Sequence, residues 1–381
     1  MIRQQEENVF VLDAGNIFSS PGLQGQIKAE IALEGMQVMS YNMFNLGYKD
    51  FAHGLDFLLY YTDQFAVPTV NANVVYEDTG EHITAPYQIV KLDTLKVGFI
   101  GVVAKRYQDE IVDYTSGPSR TITVLDEMTT LQTQIKAIKK KVDFIVVIAS
   151  VGIEKSIAIA KEIEGIDVII CSDGEEITEN YLYYNGVYIV KAGYDGKYIG
   201  NLTLSFDITK KIVDKEYTIV ELDSSFPDHE DIESLMDKYH ALLKELKDEL
   251  LDIEQMDPDT GWYYVGSSAC TECHKSQVSQ WNNTSHAEAF SALIDSDQEY
   301  NKECIFCHTT GWGYTGGFII SDDTPEMEGV QCEMCHGAAG EHIETQKVTF
   351  LNISDTTCKK CHTKENSPDF DYETYYPIII H

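Results

Sequence analysis

Four copies of one pattern, Cys-x-x-Cys-His, dominate this sequence and limit what its last third can be. They are Cys270-Thr-Glu-Cys273-His274, Cys304-Ile-Phe-Cys307-His308, Cys332-Glu-Met-Cys335-His336 and Cys358-Lys-Lys-Cys361-His362. Eight of the nine cysteines are used this way. Two intervening residues let both thiols reach the two vinyl groups of one porphyrin, and the next residue places an imidazole under the iron. Zinc ribbons also use Cys-x-x-Cys pairs but do not require the histidine. With 11 histidines among 381 residues, four such placements by chance are on the order of one in a million. Disulfides within such close pairs make poor structural bridges. The pattern predicts four covalently attached c-type haems, each with a proximal histidine: His274, His308, His336 and His362. Residues 257–381 have little aliphatic core, and porphyrin faces would supply it.

Only three histidines in that segment lie outside the motifs, His286, His342 and His381. Each is a candidate distal ligand, with Met327 and Met334 as weaker methionine candidates. Four irons against three spare histidines leave one iron either open to small ligands or served by another group. His240, or a residue from a partner, would be that group.

The surroundings of the motifs resemble the tetrahaem cytochrome c-554 family. The likeness rests on Tyr264-Val-Gly-Ser-Ser-Ala-Cys270, Trp281-x-x-x-Ser285-His286-Ala287, Cys307-His308-Thr-Thr-Gly311, Gly329-Val-Gln-Cys332, Cys335-His336-Gly337 and the closing stretch from Tyr375 to His381. It covers residues 262–381. The resemblance implies that His286, His342 and His381 are distal ligands. It also implies that the haem on Cys304, Cys307 and His308 is five-coordinate. Ala338 stands where the family usually has proline.

The preceding residues read differently. Apolar runs at 9–14, 97–103, 144–149 and 168–171 predict buried strands. Met128, Leu131, Ile135 and Ile138 recur at helical spacing, and residues 154–164 predict a second helix stopped by Gly165. Asn185-Gly186 predicts a hairpin, and residues 197–207 and 212–222 add β structure. An apolar stripe of Ile232, Leu235, Tyr239, Leu242, Leu246, Leu250 and Ile253 predicts a connecting helix capped by Asp228 or Asp231. Asp257-Pro258-Asp259-Thr260-Gly261 breaks it. The expected organisation is an α/β domain over 1–226, a connecting helix over 227–256, and a mainly helical and irregular haem domain over 257–381.

The first domain resembles the metallophosphoesterase domain of bacterial 5′-nucleotidases over residues 9–245. The likeness runs through Leu12-Asp13-Ala14-Gly15-Asn16, Leu46-Gly47-Tyr48-Lys49-Asp50-Phe51, Val70-Asn-Ala-Asn73, Ser150-Val-Gly152, Asp167 to Glu175, and Lys197-Tyr-Ile-Gly200. The resemblance implies an α/β sandwich whose two metals clamp the attacking and leaving oxygens. The ligand positions do not carry over. Asn16 replaces the bridging aspartate, Tyr48-Lys49 the Asn-His pair, Ser150 the strand histidine, and Asp173 and Glu175 the paired histidines. Asp50, Asp173 and Glu175 retain the chemistry to hold one divalent cation, but in a chain this acidic solvated acidic side chains are the favoured reading. The family's opening strand is absent before residue 9, which predicts a sequence truncated at its N-terminus, with its export signal lost. Cys171, at a strand end, is expected to be buried and inert, with a redox-active thiol as the alternative.

Lys and Arg number 28 against 62 Asp and Glu, a net charge of −34 that argues against a nucleic-acid partner. No apolar run reaches membrane-spanning length. The combined expectation is a periplasmic or extracellular electron-transfer cytochrome. Its partners would be other extracytoplasmic redox proteins or further copies of itself. A catalytically silent phosphoesterase-like domain would serve docking. The alternatives are a redox enzyme acting on a small nitrogen or oxygen species at the open haem, and a working metal-dependent 5′-nucleotidase fused to a cytochrome.

Overall fold

The chain is described here from a computed structural model covering residues 8–18, 21–92, 94–115, 120–259, 262–348 and 353–381. It divides into two compact units, residues 1–236 and 237–381.

The first unit is built on a six-stranded sheet. Its order is Leu182–Tyr184, Val187–Val190, Val168–Ser172, Phe144–Ser150, Leu95–Val103 and Tyr87–Leu92. The four middle strands run parallel, and the two outer ones close hairpins. The Asn185-Gly186 turn makes the first hairpin, with both residues at positive φ as a two-residue turn requires. A second, parallel sheet joins Leu12–Asp13, Met43–Asn45 and Thr69–Val70. Strand alternation divides the core. Val97, Phe99, Val146 and Ile148 face inward with Met43 and Val70. Ile100, Val102, Ile145 and Val147 face outward onto helices Glu127–Ile138 and Ile153–Glu162. Helices Leu23–Val38 and Leu55–Gln64 cover the second sheet through Leu33, Met36 and Leu58. The result is a four-layer helix–sheet–sheet–helix sandwich.

Buried asparagines stitch the two sheets. Asn45 Nδ2 donates to the Val102 carbonyl at 3.0 Å, and Asn73 Nδ2 to the Val103 carbonyl at 2.7 Å. Gly101 permits this approach, since a Cβ there would lie 2.4 Å from both Asn45 Oδ1 and the Val70 carbonyl. The hairpin of Tyr198–Phe206 and Ile212–Glu221 completes the unit.

Helix Glu230–Glu245 carries the chain across the division between units. Its start corrects the expected cap. The His229 carbonyl accepts from Ile232 and Glu233, and the His229 ring takes the Asp231 amide at 3.3 Å, so neither Asp228 nor Asp231 occupies the cap position. The helix ends earlier than its apolar stripe, and a separate turn, Lys247–Leu251, follows. Leu235, Tyr239 and Leu250 of the stripe are buried, together with Leu243, while Leu242 is half-buried. Of the expected breaker, Thr260 and Gly261 lie outside the described residues, as does the beginning of the chain up to residue 7.

The second unit is short helices tied by polar anchors. Glu333 is buried, and its carboxylate accepts from the amides of Val265, Gly266 and Ala339 at 2.8 to 3.1 Å. Trp281 Nε1 donates to the Val330 carbonyl at 2.8 Å. Among the described residues no helix is long and apolar enough to cross a membrane.

Candidate functional sites

Each Cys-x-x-Cys-His motif forms or ends a helical turn. Cys304 to His308 lies in helix Lys302–His308, and Cys332–His336 is itself a helix. In the first and fourth motifs the histidine amide donates to the carbonyl of the first cysteine, His274 to Cys270 at 2.9 Å and His362 to Cys358 at 3.0 Å. A helical turn puts residues three and four apart on one face. The two thiols and the imidazole of each motif therefore share a face.

The three histidines outside the motifs stand opposite motif histidines. Ring centroids are 6.3 Å apart for His274 and His342, 6.1 Å for His286 and His362, and 5.7 Å for His336 and His381. A metal–imidazole bond is about 2 Å, and two rings sharing one ion have centroids about 6 Å apart. The spacing and the donor set fit haem iron. Second contacts orient several of these rings through Nδ1, which leaves Nε2 for a metal. His308 Nδ1 lies 2.6 Å from the Ala289 carbonyl, His342 Nδ1 2.9 Å from that of Lys347, and His362 Nδ1 3.1 Å from Ser367 Oγ. Because the three spare imidazoles of residues 257–381 face other motifs, none stands opposite His308 among the described residues. Neither methionine candidate points to that role. Met334 Sδ accepts from the Gly311 amide at 3.4 Å, and Met327 is buried beside Gly266.

The motifs also touch one another. Cys270 and Cys332 lie close enough to shift each other's thiol pKa, as do Cys307 and Cys361, and Cys358 adds to the rise that burial gives Cys335. His240 lies near the second motif. Gln298 Nε2 is 2.7 Å from His240 Nε2, and Gln298 Oε1 is 4.0 Å from Cys304 Sγ.

In the first unit, the C-terminal strand ends of both sheets bring most of the second candidate set to one place. Asn16, held at positive φ, donates through Nδ2 to Ser150 Oγ at 2.9 Å and accepts the Lys49 amide on Oδ1 at 3.1 Å. Gly47 leaves room for this side chain, since a Cβ there would lie 2.3 Å from Asn16 Oδ1. Tyr48 stacks on Tyr107 at 3.9 Å between centroids. The Tyr107 hydroxyl lies 2.9 Å from both carboxylate oxygens of Asp173, which also pairs with Arg106. Burial, followed by the Asp173 charge, raises the Tyr48 pKa, and burial with the Asp173 hydrogen bond raises that of Tyr107.

Asp50 is fully buried and turned onto backbone. It accepts from the amides of Gly47, Asn16, Ile17 and Phe18 at 2.7, 2.8, 2.8 and 3.3 Å. Burial nevertheless raises its pKa to about 7, and burial raises that of neighbouring Asp13 to about 6. Glu175 is exposed. Asp50, Asp173 and Glu175 thus do not converge on one cation, and no cluster of three metal-binding side chains occurs among the described residues. The donors present do not fit a two-metal centre.

Three residues of this site, Lys191, Arg106 and Tyr107, escaped sequence reasoning. Lys191 is fully buried, its ammonium donating to the Asp173 carbonyl at 2.6 Å and to Glu176 Oε2 at 2.8 Å. Arg106 and Tyr107 follow the strand Leu95–Val103 and read as ordinary surface residues. A lysine directly after the apolar run Val187–Val190 was the available signal. Cys171 is buried beside Ser156, and burial raises its thiol pKa.

Residues 269–337 match the family described as cytochrome c554 and c-prime. The chain is 31% identical over 129 residues to cytochrome c-554 of Nitrosomonas europaea, covering 29% of this chain and 54% of that protein. It is 23% identical over 273 residues to the 5′-nucleotidase of Homo sapiens, covering 64% and 46%. A 5′-nucleotidase precursor from Thermus thermophilus shares the fold, with a TM-score of 0.55 at 21% identity over 70% of this chain and 55% of that one. The chain spans about half the length of these curated relatives. Its first part has the fold of the 5′-nucleotidase phosphoesterases, and its last part resembles a family that carries covalent haem.

Proposed function

We propose that this chain is an extracytoplasmic multihaem c-type cytochrome for electron transfer, joined to a catalytically silent phosphoesterase-like domain that serves docking. The three facing imidazole pairs carry this reading. Cys270, Cys273, Cys304, Cys307, Cys332, Cys335, Cys358 and Cys361 attach four haems. His274, His308, His336 and His362 are proximal ligands, with His342, His286 and His381 distal to the first, fourth and third. Haem supplies one-electron chemistry when bound. The cysteine contacts support a spatial order of the sites as first, third, fourth, second. Covalent haem c is attached outside the cytoplasm, so the protein works there, with other extracytoplasmic redox proteins as partners. Asn16 bonded to Ser150, Tyr48 stacked on Tyr107 and Asp173 paired with Arg106 support the silence of the first domain. Among the described residues no carboxylate stands with the partners needed to bridge two cations.

Haem content and EPR of protein matured in a host with c-type assembly machinery test the reading. The expected result is four covalent haems per chain, three low-spin and one high-spin. Absence of covalent haem refutes it. A second reading rests on His308, which has no opposing imidazole among the described residues: small nitrogen or oxygen species react at that open position. Four low-spin haems would exclude it. The fold likeness to 5′-nucleotidases supports a third reading, a working hydrolase. Phosphate release from AMP with added Mn²⁺ would establish it, and no release is expected.

A further inference from the structure

Glu333 lies inside the third motif, between Cys332 and Cys335, but its carboxylate serves other parts of the chain. Oε2 accepts from the Gly266 amide and Oε1 from the Ala339 amide, both at 2.8 Å, and the Val265 amide lies 3.1 Å from each oxygen. The residue is 2% exposed. These three amides belong to the two segments that build the first candidate haem site. Val265 and Gly266 lead into the turn Ser267–Cys270, where the first motif begins, and Gly266 is the cap residue of that turn. Ala339 is the cap residue of helix Gly340–Thr345, which carries His342. His342 stands opposite His274 of the first motif, with ring centroids 6.3 Å apart. One buried carboxylate therefore ties both sides of that imidazole pair to the third motif.

Two neighbouring contacts assist. The Gly340 amide donates to the Tyr263 carbonyl at 3.0 Å, a backbone link between the same two segments. Gln331 Oε1 takes the Ser267 amide at 2.5 Å, on the first segment. Glu333 meets both segments with one group, and the geometry calls for a carboxylate of this length. A carboxylate presents two acceptor oxygens, whereas glutamine offers one and sets its own NH2 against an amide donor. Aspartate keeps both oxygens but is one methylene shorter, about 1.5 Å. A metal–imidazole bond of about 2 Å tolerates little error in the distance between two rings that share an ion.

We propose that Glu333 is a positioning residue for the first haem site, holding the Cys270 turn and the His342 helix at the separation that lets His274 and His342 bind one iron. This rests on the proposed haem assignment. Glu333 touches neither imidazole in the contacts above, so it acts through the backbone on either side. Its effect is local to one iron. The amides it holds lead to Cys270 and His342, and none of them belongs to the segments that carry His286, His362 or His381. A residue of the third motif thereby sets the ligand geometry of the first. Outer contacts of this kind govern how firmly a ligand donates to its metal.

The test is EPR and redox titration of the oxidised full holoprotein, with covalent haem counted per chain. His342→Ala marks the first haem by the low-spin signal it removes. Glu333→Gln should keep four covalent haems and should shift or remove that same signal, leaving the other two low-spin signals in place. The midpoint of that haem should rise, since a loosened imidazole donates less to oxidised iron. The double variant should show no more high-spin haem than His342→Ala alone, because both changes act on one iron. Unchanged signals and midpoints in Glu333→Gln overturn the proposal. So does an equal loss across all three low-spin haems, which a merely structural residue would cause. Where Glu333→Gln does not mature, Glu333→Asp, the milder change, is read by the same criteria. A wild type without covalent haem, or a His342→Ala protein that keeps every low-spin signal, would instead refute the haem assignment beneath the proposal, a separately visible result.

Discussion

The imidazole of His381, the last residue, faces that of His336 with ring centroids 5.7 Å apart. Its position is set from behind. Helix Tyr372–Ile379 is capped by Asp371, and Gln280 Nε2 holds the Ile380 carbonyl at 2.8 Å. Neither contact uses the ring. Replacing His381 with alanine should leave haem content unchanged and convert one low-spin haem to high-spin. EPR of the oxidised protein checks this. A variant that keeps every low-spin signal would remove His381 from the ligand set.

Ser367 is the second contact of His362, its hydroxyl 3.1 Å from Nδ1. Donation from Nδ1–H makes an imidazole a stronger electron donor and stabilises an oxidised metal. Ser367→Ala removes an interaction of about 1 kcal/mol, equivalent to about 40 mV for one electron. The potential of one haem should rise by that order. His308 needs no such side chain, because the Ala289 carbonyl fills the role at 2.6 Å. Equal potentials in variant and wild type, measured by redox titration, would contradict the orienting role.

What the sequence revealed follows the range of the interactions. The parallel strands were legible because continuous apolar runs need burial on both faces, as Phe144–Ser150 has. The motifs were legible because a helical turn makes Cys-x-x-Cys-His a local device. Pairing of His274 with His342 was not, since it depends on where chain segments return in space. Lys191 was missed for the same reason: its burial is tolerated only because Glu176 and the Asp173 carbonyl converge on it. The cap at His229 was missed because aspartate is the commoner cap and two were available nearby.

Asp50 predicts a large cost for a small change. Its carboxylate collects four backbone amides from two loops, Gly47 from one and residues 16–18 from the other. Asp50→Ala orphans these donors in a buried site, where each unsatisfied group costs about 1 kcal/mol or more. The first unit should lose at least about 3 kcal/mol. Hydrogen exchange of peptides spanning Phe144–Ser150 reads this unit separately from the haem unit. A loss below about 1 kcal/mol would show that water satisfies the amides.

The same carboxyl predicts a pH dependence. Burial raises Asp50 to about 7 and Asp13 to about 6, against about 4 for an unfolded aspartate. Between those values the unfolded chain has released protons that the folded chain keeps. Stability is therefore greatest toward the acidic side of the window and is lost as pH rises through the folded values. From pH 5.5 to 7.5 the loss should be about 3 kcal/mol, about two thirds of it from Asp50. Asp50→Asn cannot titrate and should show a shallower slope from a lower starting stability. Urea unfolding at both pH values, read by hydrogen exchange in the strand Leu95–Val103, separates the two. Parallel slopes in variant and wild type would mean that Asp50 is ionised throughout, its four amides outweighing its burial.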